Sequence, residues 1–166
     1  MHDLGEGELR SPLPSEQEQI ARLLDHAFGH GAESELLDAL RAGGWLLMEQ
    51  VLASAGEVLG VVALCQLERS PGGQALGALA PLAVAEAARR RGAGSRLVHA
   101  TIEEARKRGL GGVVVVGDPA FYQRFGFELA PGLLCLWSGP FLQAIELIPG
   151  ALSGQIELDY PPPFEG

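Results

Sequence analysis

Arg89-Arg-Arg-Gly92-Ala-Gly94-Ser95 stands between a β-rich stretch and a helical one, and its reading decides the fold. A helix N-terminus offers free N–H groups and a partial positive charge. Glycines let an anion approach those amides closely. Arg89, Arg90 and Arg91 add full charge and flexible donors at the same place. The stretch therefore reads as an anion cradle at the start of a helix. Two other glycine motifs are excluded. A P-loop needs a Lys after its last glycine, and none follows here. The dinucleotide fingerprint needs a third Gly or Ala where this chain has Leu97. Spacing alone equally allows a glycine-rich strand-to-helix turn with exposed arginines, and that alternative stays open at this point.

Toward the C-terminus, the spacing predicts a helix from Ala93 to Arg108, with Leu97, Val98, Thr101, Ile102 and Ala105 as its buried stripe. Gly109 ends it. Val113 to Val116 is a β-branched run suited to a buried parallel strand. Strand, helix and strand make a right-handed βαβ unit. Asp118 then caps a short helix with Pro119 at its first position. That helix carries Phe121, Tyr122 and Phe125 and stops at Gly126. It starts at the same carboxyl edge of the sheet as the cradle. The Tyr122 phenol there suits a hydrogen-bond donor or general acid. The alternative is an aromatic core residue beside Phe121 and Phe125.

Toward the N-terminus, Ser15 opens a helix with Glu18 three residues on, a capping box. Ile20, Leu23, Leu24, Ala27 and Phe28 form its apolar face. A second helix runs from Ala32, with Leu36, Leu37 and Leu40 inward, to Gly43-Gly44. Trp45–Ala53 and Val58–Leu67 read as an antiparallel hairpin turning at Ala55-Gly56. A third strand from Ala75 to Val84 contains Pro81, which cannot donate to a ladder. A central strand there predicts a bulge near Pro81, with the next strand splaying away and leaving backbone amides for a ligand. Phe127 to Leu158 reads as strands broken at Pro131-Gly132, Ser138-Gly-Pro140 and Pro149-Gly150. Tyr160-Pro-Pro-Pro-Phe164 reads as an extended surface tail. The expected fold is one α/β domain over residues 1–166, with a mixed central sheet and flanking helices.

Composition narrows the function. The formal net charge of −9 argues against a nucleic-acid partner. Yet seven of the 12 Lys and Arg fall between Arg89 and Arg108. Arg106 to Arg108 complement a helix C-terminus. Arg89 to Arg91 instead suit a small anion. No apolar run spans a bilayer, and the N-terminus lacks the apolar core of a secretory signal, so a cytoplasmic location without membrane partners is expected. Cys65 and Cys135 sit in apolar runs far from each other and from His, which argues against a disulfide or a zinc site; no metal ligand set is visible.

Arg89-x-x-Gly92-x-Gly94 resembles the Q/R-x-x-G-x-G/A motif of the GNAT superfamily of acetyltransferases. Tyr122-x-x-x-Gly126-Phe127 resembles its Y-x-x-x-G-F signature. Order and separation agree with the family, and the tail through Glu146-Leu-Ile148 and Pro149-Gly-Ala-Leu is similar to a subgroup of small predicted bacterial acetyltransferases. The resemblance covers almost the whole chain. It implies acetyl-coenzyme A as cofactor and a primary amine, small-molecule or protein, as acceptor, attacked directly within a ternary complex. It implies that amides from Arg89 through Arg90, Arg91, Gly92, Ala93, Gly94 and Ser95 hold the pyrophosphate. Leu82, Ala83 and Val84 would pair with the pantetheine arm, and Tyr122 would protonate the departing thiolate. Homodimers occur in such folds, although no residue here fixes one.

Two departures stand out. Many members carry an Asn before the tyrosine helix, where this chain has Val116-Gly117-Asp118-Pro119. Asp118 stands in for it or serves only as the cap. No acid or His lies in Ala75 to Val84, so Glu68 is a base candidate by position only. His26, His30 and His99 read as helix-face residues. Glu33, Glu35 and Asp38 read as a solvated face, with a cationic acceptor as the alternative. A non-catalytic acyl-coenzyme A binding or sensing module would keep the cradle without needing Tyr122, and another phosphate ligand is a third reading.

Overall fold

A computed structural model describes residues 7–165. Its strands are β1 (Glu8–Arg10), β2 (Leu46–Ser54), β3 (Glu57–Ser70), β4 (Leu76–Val84), β5 (Gly112–Val116), β6 (Glu128–Leu129), β7 (Leu133–Leu134), β8 (Leu142–Glu146) and β9 (Ile156–Asp159). Its α-helices are α1 (Gln17–Phe28), α2 (Ala32–Gly43), α3 (Ala93–Lys107) and α4 (Pro119–Tyr122). The strand order is β1-β2-β3-β4-β5-β8-β6, and β9 joins the far end of β3 and pairs with β7. The β4–β5 pair is parallel, with α3 as the crossover, so the expected βαβ unit is present within a mixed sheet.

Period-two alternation assigns the two faces. Val62 and Leu64 of β3 join Leu97, Val98 and Ile102 of α3 in one cluster. Val61 and Ala63 join Ile20, Leu24 and Leu37 of α1 and α2 in another. The helices thus sandwich the sheet, α3 on one face and the α1–α2 pair on the other.

The bulge lies where Pro81 predicts it. Val62 opposes Leu82, but Leu64 opposes Leu79, so Ala80 and Pro81 together face Ala63. The extra residue inverts the alternation of β4. Before the bulge, Leu76 and Ala78 pack on the α2 side and Leu79 on the α3 side. After it, Leu82 and Val84 lie against the α3 cluster and Ala83 against the α1 cluster. The splay is present too. β4 pairs with β5 only from Leu76 to Ala78, although β5 continues to Val116.

Four expectations need correction. α1 begins at Gln17, after a 3₁₀ turn over Pro14–Glu16, and the capping box does not use Ser15 and Glu18. Buried Glu16 takes that role. Its carboxylate accepts the Leu13 N–H at 2.8 Å and two Arg10 guanidinium bonds at 2.7 and 2.8 Å. Arg10 belongs to β1, a short edge strand ahead of the two helices with which the expected elements begin. Phe28, assigned to the apolar face of the first helix, is 41% exposed. The C-terminal segment is no extended tail, because Pro162–Glu165 forms a 3₁₀ turn and Pro161 is buried.

Candidate active site

Gly92, with φ of 84°, is the N-cap of α3, and no side chain caps this end. The first helical bond runs from the Arg96 N–H to the Gly92 carbonyl at 3.0 Å. The amides of Ala93, Gly94 and Ser95 precede it and have no acceptor within the helix. Beside them opens a cleft of about 510 Å³, lined by Leu82 and Val84 of β4, Arg89, Arg90, Gly92, Gly94, Ser95, Phe121 and Arg124, with Ala27 and Phe28 overhanging from α1. The exposed Phe28 is thus a wall of the cleft.

The arginines divide. Arg89 lines the cleft and donates through Nε to the Val84 carbonyl at 3.2 Å, tying the cradle to the end of β4. Arg90 lines it with φ of 64°, a left-handed conformation rare for a side-chain-bearing residue. Arg91 is exposed and is not a lining residue. Arg124, which the sequence reading did not single out, supplies the third guanidinium. It sits 4.7 Å from the Phe121 ring centre, held over the aromatic face.

Tyr122 is the last residue of α4, buried and lining neither this cleft nor the next, its ring edge-on to Phe121 at 4.9 Å and to Phe127 at 5.6 Å. Burial pushes its phenol up to about 12, so it stays protonated at neutral pH. Gly117 makes room for the ring, since a Cβ there would fall 2.6 Å from Tyr122 Cε2. Gly117 is itself held, its carbonyl accepting from the buried Gln143 side chain at 3.1 Å. Neither residue belongs to a readable motif. Asp118 caps α4, accepting the Ala120 N–H at 2.9 Å, and lines neither this cleft nor the next.

A second cleft, of about 220 Å³, opens where β4 and β5 diverge. Ala78, Leu79 and Ala80 form one wall and Val114, Val115 and Val116 the other, closed by Glu33 and Leu36 of α2 and by Trp137, Tyr160 and Phe164. Glu35 and Asp38 are outside it, and Asp38 pairs with Arg41 at 2.8 Å. Glu68 is elsewhere as well. It is exposed, pairs with Asp159 of β9 and lines a cleft with Glu157 and Asp159. Among the described residues, no group of three or more His, Cys, Asp or Glu is placed to hold a metal ion.

The sequence of residues 17–127 matches the acetyltransferase (GNAT) family. The chain belongs to that family. Acetyl transfer is therefore its reaction class. Among GNAT relatives, YhbS of Escherichia coli, named an uncharacterized N-acetyltransferase, is 35% identical over 151 residues, covering 88% of this chain and 90% of that one. A crystal structure of Escherichia coli YhbS in complex with coenzyme A superposes with a TM-score of 0.89 at 32% identity, covering 96% of this chain and 92% of the other. A GNAT acetyltransferase from Brucella melitensis, solved in complex with acetyl-coenzyme A, gives a TM-score of 0.82 at 26% identity, covering 98% and 99%.

Proposed function

We propose that this GNAT protein moves the acetyl group of acetyl-coenzyme A to a primary amine, which attacks directly while both are bound. The carrying observation is the first cleft, where the uncapped start of α3, three guanidinium groups and the unpaired edge of β4 converge. These features fit the cofactor. A diphosphate needs free amides and positive charge, and a glycine-lined approach lets it reach them. An amide-bearing arm needs a strand edge without a neighbour, which the splay beyond Ala78 supplies.

When bound, acetyl-coenzyme A supplies an activated thioester, from which the acetyl group passes to nitrogen as sulfur leaves. The chain does the rest. Amides from Arg89 through Ser95 hold the diphosphate, and Arg89, Arg90 and Arg124 balance its charge. The backbone of Leu82, Ala83 and Val84 orients the arm along β4. Tyr122 donates its phenolic proton to the departing sulfur, a role that requires the protonated form its burial preserves, and the proton shed by the attacking nitrogen restores the phenol through solvent.

The test pairs ligand-induced melting with turnover. Acetyl-coenzyme A at one hundred times its Kd should add about 2.7 kcal/mol of stability. An Arg90→Glu, Gly94→Glu double variant should lose that shift yet fold, because a Cβ at Gly94 meets Phe121 at an ordinary 3.4 Å. Amine-dependent release of free thiol, lost in Tyr122→Phe, establishes an enzyme. A melting shift with thiol release undiminished in Tyr122→Phe would keep the transfer and remove Tyr122 from it.

A further inference from the structure

The cleft between β4 and β5 has a chemistry of its own, distinct from the anion cradle. Its strand walls, Ala78 to Ala80 and Val114 to Val116, are aliphatic. Its outer wall is aromatic. Trp137 and Tyr160 meet at 6.3 Å and 80°, and Tyr160 and Phe164 at 5.1 Å and 68°. The three rings are thus set steeply to one another rather than stacked. Burial holds the Tyr160 phenol protonated well above its ordinary range, so it brings no negative charge. The lining residues include one carboxylate, Glu33, and no Lys, Arg or His.

We infer that these rings and Glu33 form a box that selects a compact organic cation, and that the amine acceptor is recognised through an alkylammonium group, separate from the attacking nitrogen, held between Glu33 and the rings of Trp137, Tyr160 and Phe164. The inference rests on the acetyl-transfer reading above for the word acceptor, but not for the binding itself. Aromatic rings attract a cation through their quadrupole, more strongly once it is desolvated. Glu33 supplies a full negative charge, which outweighs the roughly half positive charge of the α2 N-terminus beside it. A neutral or anionic ligand of the same shape gains neither interaction. An anion would also face Glu33 at close range in an apolar pocket, where like charges repel strongly.

Calorimetric titration of the full chain with choline and with its neutral carbon isostere, 3,3-dimethylbutan-1-ol, tests this without acetyl-coenzyme A present. Choline has no N–H to acetylate, so its binding reads the box and not the transfer. Choline should bind about tenfold more tightly than the alcohol. Glu33→Gln should weaken choline by about tenfold and leave the alcohol unchanged, whereas Glu35→Gln, outside the cleft, should alter neither. Trp137→Leu, on a solvent-facing ring, should also weaken choline selectively. Equal affinity for the two probes, or a choline affinity indifferent to Glu33→Gln in a protein of unchanged Tm, overturns the inference. A failed acetyl-coenzyme A melting shift alongside selective choline binding would overturn the acetyl-transfer reading and leave the cation box standing.

Discussion

On the proposed reading, Tyr122 gives up its proton from a position that its neighbours impose. Its ring fills the space left by the missing Cβ of Gly117. Gly117→Ala should therefore push the ring aside and lower kcat by roughly tenfold or more, with a smaller effect on the KM for acetyl-coenzyme A; steady-state kinetics reads both. Tyr122→Phe keeps the ring and removes the proton, so kcat should fall by about 10²- to 10⁴-fold while Tm stays close to that of the parent. The sign of the pH dependence follows from burial. A phenol raised to about 12 keeps its proton as pH climbs, so rate should not decline below about pH 10 on its account. An alkaline decline centred below that pH and absent from Tyr122→Phe would keep Tyr122 as the acid and contradict the raised phenol. Tyr122 stood out in the sequence because a spaced signature carries it. Gly117 and Gln143 did not, since each meets the site through a neighbour, and Arg124 did not because only the folded chain brings it to the cleft.

At the scale of the element, β4 was the most readable part of the chain. One proline in an otherwise β-forming run predicted both the bulge and the splay, because the missing N–H constrains the ladder whatever lies around it. The N-terminal elements were less readable for a physical reason. β1 has three residues, too few for an alternation to show, and the turn before α1 is capped by Glu16 on the Leu13 N–H, with Arg10 six residues back, rather than by Ser15 and Glu18. Arg10 holds the Glu16 carboxylate down to about 2, helped by the Leu13 N–H. A carboxylate depressed in the folded state stabilises above its ordinary range, and that stability fades as pH falls through about 2. Glu16→Gln should lower Tm at pH 7 by roughly 2–4 °C for each kcal/mol lost, and the two proteins should converge between about pH 5 and pH 2. Thermal melts across that range decide it; a constant gap would mean the bonds matter through shape alone. The C-terminal segment misled for a related reason. Three prolines suggested extension, yet Tyr160 and Phe164 turn back to wall the second cleft.

Taken whole, the molecule concentrates its positive charge at the start of α3 although its net charge is −9. Steering toward the cradle is therefore local, and added salt should weaken acetyl-coenzyme A binding measurably, with a shallower salt dependence in Arg124→Ala. Titrations at several ionic strengths would show it, and equal slopes in the two proteins would remove Arg124 from the cradle. The inverted alternation of β4 has a consequence for traffic. Residues 78–80 of that strand serve one cleft and Leu82 and Val84 the other, and the two clefts share no lining residue. On the proposed reading the donor's diphosphate lies in one and the acceptor in the other, so binding in no fixed order is expected. Initial-rate lines should intersect, and each product should compete with its own parent reactant in whatever order the two are supplied.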